Sequence, residues 1–160
     1  MRQRMTQSIK PLTMAAIFVA GTVIAAYGHG GATGIVKERM DGMMAMGKAL
    51  SVVADMFKGK TGFDGVKIGD AAKIVRAHAA EIDGLFPDTE ASRKGKGTEA
   101  LPAVWDKRSD FTAIAVELEK RAAELEVISV SGDQNAIRVG FAAMAKTCSA
   151  CHADYRKKKQ

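Results

Sequence analysis

The stretch CSACHADYR, residues 148–156, contains both cysteines of the 160-residue chain. Cys148 and Cys151 are three positions apart, and His152 directly follows the second. On a helix this spacing is roughly one turn, so both sulfurs point the same way. Two such thiols can form thioethers with the vinyl groups on one edge of a haem, and the adjacent histidine can bind the iron. The motif therefore predicts one covalently attached haem c, with His152 as an axial ligand.

Three other uses of this cysteine pair are open from the sequence. A dithiol redox pair usually stands at a helix start beside a strand–helix–strand pattern, and no such pattern is apparent. A structural zinc site needs four ligands, whereas the motif supplies three and the other histidines, His29 and His78, are remote. A disulfide would close a very small loop with little entropic benefit. Haem attachment accounts best for the complete motif.

The N-terminus indicates export. Residues 1–10 carry three basic side chains and no acidic one, and residues 11–28 are nearly all apolar or small. This order is typical of a secretory signal peptide, here residues 1–28, with cleavage after Gly28. The apolar run is also near the lower length limit for a membrane-spanning helix, so an uncleaved anchor is the alternative. Both interpretations predict a periplasmic domain at residues 29–160, which contacts a membrane only if residues 11–28 are retained.

The basic residues beyond this segment form two runs. One contains Arg93, Lys94 and Lys96, and the other covers residues 156–159. Such runs are usually solvated surface, but they could also dock an acidic redox partner protein. Aromatic residues make up only 6% of the chain, so we expect no stacking platform and no nucleic-acid binding. No catalytic triad, paired-carboxylate site or phosphate loop is recognisable, which argues against an enzyme.

The remaining sequence predicts four amphipathic helices. Apolar residues recur at spacings of three and four among strong helix formers, and no segment alternates with period two over a useful length. Residues 131–133 are a plausible N-cap for the last helix. The predicted spans are 33–57, 69–85, about 109–128 and 134–157. Four such helices predict an all-α fold, an antiparallel up-down-up-down four-helix bundle.

In that bundle the first and last helices are antiparallel neighbours, so the first helix can present a residue to the iron face opposite His152. Met40 and Met43 lie at a matching height. Gly47, one turn beyond Met43, would leave room for a porphyrin close to the backbone, at a cost of about 1 kcal/mol relative to alanine. We expect Met43 to be the sixth ligand. The alternatives are that Met43 only packs over a free axial position, or that Met40 is the ligand.

The connection between the second and third helices, residues 86–108, is longer than a compact bundle needs. It contains the only tryptophan, Trp105. If this connection folds over one end of the bundle, Trp105 would pack at the haem edge. The alternative is a plain connection whose tryptophan caps the core.

Four segments in this order resemble the class II cytochromes c, the cytochrome c′ family. They are RMDGMMAMG at 39–47, LFPD at 85–88, AVWDKRSDF at 103–111 and CSACHADYR at 148–156. The resemblance covers most of the chain after the export segment and implies a four-helix bundle. It also implies haem attachment at the C-terminal motif of Cys148, Cys151 and His152.

The resemblance also implies roles for residues of the first helix. An Arg-x-x-x-Met pattern of the family matches Arg39 and Met43. The methionine is similar to the sixth ligand of low-spin, six-coordinate members, whereas high-spin members place a non-binding apolar side chain there. Arg39 and Arg156 would approach the haem propionates, with solvated charge as the alternative. A homodimer through the first two helices is a further implication.

The function implied is a periplasmic c-type cytochrome that carries single electrons through a His/Met-ligated haem to a redox partner protein. One alternative is a five-coordinate protein that binds or buffers nitric oxide or carbon monoxide in an apolar pocket. Another is a membrane-tethered haem subunit of a larger complex.

Overall fold

The computed structural model describes residues 31–158, which form an all-helical bundle. Its helices in chain order are α1 (Gly34–Phe57), α2 (Gly65–Glu81), α3 (Glu90–Lys94), α4 (Ala103–Asp106), α5 (Arg108–Ile128) and α6 (Gln134–Tyr155). The long helices α1, α2, α5 and α6 make the predicted four-helix bundle. Within the described range, no helix has both the length and the apolar character needed to cross a membrane. The predicted signal peptide at residues 1–28 lies outside the described residues.

The core lies between the four long helices, where α1 packs on α2, α2 on α5 and α5 on α6. The largest fully buried aliphatic side chains include Ile68, Val75, Leu125, Ile137 and Met144. Burying each such side chain contributes roughly 1.5–3 kcal/mol relative to leaving it exposed. The apolar positions predicted from the sequence thus form one core that the four long helices share.

Local capping explains where two of the helices begin. The cap predicted for α6 is confirmed, because Asp133 Oδ1 accepts hydrogen bonds from the backbone N–H groups of Asn135 and Ala136. Helix α2 begins at Gly65, earlier than predicted. There the Asp64 side chain accepts a hydrogen bond from the Lys67 backbone N–H at 3.1 Å and so caps the N-terminus of the helix.

Helix α6 ends at Tyr155, slightly before the predicted end near residue 157. Arg156 leaves the helical conformation, with φ −120° and ψ 139°, and pairs with Ala100 in an isolated antiparallel bridge. The chain beyond α6 thus fastens to the long connection between α2 and α5. This connection contains the short helices α3 and α4 and crosses the end of the bundle where α6 finishes.

Helices α1 and α6 meet at one end of the bundle. The ring of Phe57, the last residue of α1, lies 5.4 Å from the ring of Phe141 on α6. The guanidinium of Arg138 lies 4.4 Å from the Phe57 ring centroid. At the opposite end, where α1 starts and α6 finishes, a pocket lies between these two helices.

Gly47 is not among the residues that line this pocket, so its expected place beside a porphyrin stays a prediction. Gly47 is exposed, and a Cβ atom added there would meet nothing within 4 Å. The neighbouring buried positions of α1 are Met46 and Ala49. Met43 is half-buried, and its side chain both lines the pocket and packs against the core.

Replacing Gly65 with alanine should destabilise the fold. An added Cβ would lie 2.3 Å from the Ser129 carbonyl oxygen, a backbone atom that no side-chain rotation can move. The start of α2 and the end of α5 would have to separate, which we expect to lower the free energy of unfolding by about 1–3 kcal/mol. Urea denaturation followed by circular dichroism measures this change.

Gly47→Ala is the matched control. It should raise the free energy of unfolding by up to about 1 kcal/mol, since alanine favours a helix interior and nothing obstructs it. Equal stability of the two variants would contradict the close approach of α2 and α5.

Candidate haem-binding site

A pocket of about 260 Å³ lies between the start of α1 and the end of α6. Helix α1 contributes one wall, with Val36, Arg39, Met40, Met43 and Met44. Their spacings of three and four place them on one side of the helix. Apart from Arg39, this wall is apolar.

Helix α6 supplies the facing wall with the predicted iron ligand. Cys151, His152 and Tyr155 line the pocket, and Cys148 packs one turn earlier against the core. Both cysteines are free thiols and are partly accessible. The structure thus brings His152 and Met43 to the same pocket from opposite helices, as the sequence predicts.

The protein environment favours neutral forms of these groups. Burial raises the pKa of the Cys148 thiol. Burial, together with the charges of Cys148 and Asp154, raises the pKa of Cys151 to about 11. For His152, burial lowers the pKa and Arg156 lowers it further, while Glu99 opposes them. At neutral pH the site therefore offers S–H groups and a neutral imidazole, the form of histidine that binds metals.

The donor set fits haem c better than the other uses of the motif. Two free thiols stand one helical turn apart beside a neutral imidazole, at an apolar pocket that could receive a porphyrin. Among residues 31–158, the structure assembles no group of three His, Cys, Asp or Glu side chains suited to a metal ion. A zinc site therefore has no ligand set within the described chain.

The connection between α2 and α5 forms a third wall. Its segment 97–100 lines the pocket and is held to the end of α6 by backbone hydrogen bonds. Leu101 donates to the Tyr155 carbonyl at 2.9 Å, and Lys157 donates to the Glu99 carbonyl at 2.8 Å. Arg156 also lines the pocket, with its Nε atom 3.9 Å from a carboxylate oxygen of Glu99.

Arg39 is buried, so the alternative of a solvated charge is wrong for this residue. Only 5% of its surface is exposed. Its Nε atom donates to the Leu85 carbonyl at 2.7 Å, and Nη1 donates to the Ser92 carbonyl and the Thr98 hydroxyl. Nη2 donates to the Ser92 hydroxyl, and the guanidinium lies 4.0 Å from the Phe86 ring centroid. Arg39 thus ties α1 to the connection that forms the third wall.

Trp105 does not line the pocket, although its neighbour Val104 does. Its indole N–H donates to the carbonyl oxygens of Phe86 and Pro87, both at 3.1 Å. Its ring lies 6.3 Å from the Phe86 ring, and the Arg93 guanidinium stacks over its outer side. The structure thus matches the alternative of a tryptophan that caps the core.

Three aromatic residues of the pocket were missed by sequence reasoning. Phe86, Phe111 and Tyr155 line it and stack edge to face, with ring centroids 5.0 and 5.2 Å apart. Tyr155 was detectable, because it follows His152 by three residues and so lies on the same side of α6. The two phenylalanines lie in the family-like segments 85–88 and 103–111, but they are distant in the chain, so nothing in the sequence placed them at one pocket.

Ser92→Ala should weaken the third wall. The Ser92 hydroxyl is fully buried and accepts a hydrogen bond from the charged Arg39 side chain. Its loss leaves a guanidinium donor unpaired, which we expect to lower the free energy of unfolding by about 1.5–3 kcal/mol. The control is Thr98→Val, which removes two long hydrogen bonds, from Arg39 Nη1 at 3.4 Å and from the Ala100 N–H at 3.3 Å, and should have a smaller effect. Urea denaturation measures the free energy of unfolding of both variants, and equal losses would contradict the larger effect expected for Ser92→Ala.

Comparison with known proteins relates the chain to one family. The model of the family described as Cytochrome C′ matches residues 34–156. Cytochrome c-554 of Cereibacter sphaeroides is 31% identical over 117 residues, which cover 72% of this chain and 87% of that protein.

Solved structures agree with this relationship. Cytochrome c prime from Shewanella frigidimarina is 31% identical, with a TM-score of 0.71 over 78% of this chain and 94% of that one. The L16A mutant of cytochrome c prime from Alcaligenes xylosoxidans shares the fold at 23% identity, with a TM-score of 0.68 over 78% of this chain and 94% of that one. The family carries one covalently bound haem c, which confirms the predicted cofactor. The chain belongs to the cytochrome c′ family.

Proposed function

We propose that this chain is a periplasmic haem protein that binds a small neutral gas, such as nitric oxide or carbon monoxide. Cys148 and Cys151 would hold the haem through thioethers, and His152 would bind its iron. When bound, the haem would supply an iron able to bind a diatomic gas. The observation that carries the proposal is the apolar α1 wall that faces His152 across the pocket.

The low polarity of the α1 wall determines which ligands can enter the pocket. Val36, Met40 and Met43 present aliphatic and thioether surface, which a neutral diatomic molecule can approach without losing strong hydration. Away from Arg39, a charged ligand would have to leave water for this surface at a large cost. In this role Met43 packs over the axial position and restricts access by its size. Neither gas binding nor electron transfer requires turnover of a substrate.

A relative with the same fold supports the proposal. The Alcaligenes xylosoxidans L16A mutant was solved as a nitric oxide complex. Because the sequences are only 23% identical, the likeness concerns the fold alone. It indicates that a bundle of this kind is compatible with nitric oxide binding.

A second candidate function is one-electron transfer, which the position of Met43 favours. Its thioether lines the pocket from the helix that faces His152, where a sixth ligand would have to come from. Methionine opposite histidine raises the reduction potential of a haem. This arrangement would correspond to the low-spin, six-coordinate form.

For electron transfer, a partner would meet the rim of the pocket. Arg156, Lys157 and Lys158 follow α6 directly and lie beside the segment that contains Lys96, and Glu99 is the nearby acid. Arg156 itself lines the pocket, whereas Arg93 and Lys94 of the other basic run pair with Asp88 and Glu90. An acidic redox protein suits such a surface, since opposite charges accelerate brief encounters.

Met43→Ala separates the two functions. For gas binding, the unmodified haem-loaded protein should show a five-coordinate, high-spin absorption spectrum. The variant should keep that spectrum and bind carbon monoxide several-fold faster in the ferrous form, because a shorter side chain clears the α1 wall. Absorption spectroscopy and flash photolysis measure both properties.

Val52→Ala is the control, since this α1 residue is 46% exposed and does not line the pocket. It should change neither property. A low-spin, six-coordinate spectrum that Met43→Ala converts to high-spin would contradict the gas-binding proposal and support electron transfer.

A further inference from the structure

Four aromatic rings in contact lead from the pocket to the protein surface. Tyr155 lines the pocket, and its ring centroid lies 5.2 Å from that of Phe111. The Phe111 centroid lies 5.0 Å from that of Phe86, which lies 6.3 Å from that of Trp105. The first three residues are buried, whereas Trp105 is half-buried and lies outside the pocket. These four rings, called the aromatic path below, thus join the wall that contains His152 to a ring that solvent can reach.

The two side chains that most readily give up an electron stand at the two ends of the aromatic path. Phenol and indole groups are oxidised by one electron far more easily than the benzene ring of phenylalanine. Tyr155 and Trp105 are the only tyrosine and the only tryptophan that the structure describes. The other ring contacts in the described chain lie near the opposite end of the bundle and join phenylalanines alone. The order of the rings in the path is therefore suited to moving an electron between two donors.

Negative charge lies close to the pocket end of the path. Burial raises the pKa of the Tyr155 hydroxyl, and the charges of Asp110 and Asp154 raise it further. The same two carboxylates stabilise the positive charge that develops when the Tyr155 ring gives up an electron. The surroundings of Tyr155 thus favour its oxidation.

The surface end of the path is also not positively charged. The Arg93 guanidinium lies 4.8 Å from the Trp105 ring centroid, but it pairs with Asp88 and lies 3.8 Å from a carboxylate oxygen of Asp106. Two carboxylates therefore face one guanidinium beside the indole. The loss of an electron from Trp105 is not opposed by an uncompensated cation.

We propose that the aromatic path delivers electrons to the pocket when a peroxide reacts there, so that Trp105 is oxidised in place of the haem. The proposal rests on the proposed function only in that the pocket holds a haem. Hydrogen peroxide is a small neutral molecule, and the apolar α1 wall admits such ligands more readily than ions. The further activity is therefore the removal of oxidising equivalents from the pocket.

Electrons and atoms balance with peroxide and water as the only co-reactants. One hydrogen peroxide takes up two electrons and two protons and becomes two molecules of water. Tyr155 gives up each electron together with its hydroxyl proton, and it regains an electron from Trp105 and a proton from solvent. Trp105 loses two electrons and two protons in total and gains one oxygen atom from water. The net products are one oxygenated tryptophan and one water for each peroxide.

The source of the added oxygen provides the first test. The haem-loaded full chain is treated with one equivalent of hydrogen peroxide, without dissolved oxygen, in water enriched in a heavy oxygen isotope. Peptide mass spectrometry should then find one heavy oxygen on Trp105. An oxygen that comes from the peroxide itself would indicate direct attack at the surface and would overturn the inference.

Two substitutions interrupt the aromatic path. Tyr155→Phe keeps the ring and its packing but removes the readily oxidised phenol. Phe111→Leu removes the ring that contacts both of its neighbours in the path. Each should lower the oxygenation of Trp105 several-fold and speed the loss of the Soret band in peroxide, since the haem is then damaged instead.

The matched control is Phe141→Leu, which removes a ring contact with Phe57 away from the path. It should be oxygenated at Trp105 as fully as the unmodified chain. Because Phe111→Leu opens the core, Tyr155→Phe keeps the comparison informative if the leucine variant does not accumulate. Equal oxygenation of Trp105 with and without the Tyr155 phenol would sink the proposal.

The outcomes also separate this inference from the proposed function. A chain that carries no covalent haem would refute both. A haem-loaded chain whose Trp105 stays intact in peroxide would refute only the role of the aromatic path.

Discussion

At the start of α1 and the end of α6 the bundle stays open, because the chain between α2 and α5 is held across this end. Two sets of hydrogen bonds hold it there. Arg39 binds the carbonyl groups of Leu85 and Ser92, and the backbone at Leu101 pairs with Tyr155. Helices α1 and α6 form two walls of a pocket at this end, and the connection forms the third wall. The cysteine motif is suited to haem attachment only because this pocket lies beside it.

The chemistry of the pocket follows from its low polarity. The same burial keeps the thiols protonated and keeps His152 neutral. An apolar wall admits small neutral ligands and also favours the haem state of lower charge. Gas binding and electron transfer are thus two outcomes of one environment. In our proposal the two differ in whether the thioether of Met43 binds the iron or only packs beside it.

Much of this arrangement was predictable from the sequence, because it depends on local patterns. Helix periodicity gave the four long helices, and the short polar segment ending in Asp133 marked the start of α6. The Cys-x-x-Cys-His spacing identified the cofactor, and antiparallel geometry placed Met43 opposite His152. Each of these signals lies within one helix, or within two helices whose heights follow from the rise per residue.

The missed features depend on contacts between distant residues. The acceptors of Arg39 lie 46 to 59 positions further along the chain, and two of them are backbone carbonyls, which no side-chain pattern reveals. Trp105 lies against Phe86 and Pro87, because the carbonyl oxygens of these residues accept hydrogen bonds from its indole N–H.

The most direct test of this account is the intact mass of the full chain made in cells that can attach haem covalently to cysteine pairs. We predict the mass of the polypeptide plus one haem, retained after extraction with acidified acetone, together with a Soret band. A chain that weighs only what its amino acids weigh, and shows no Soret absorption, would contradict the account.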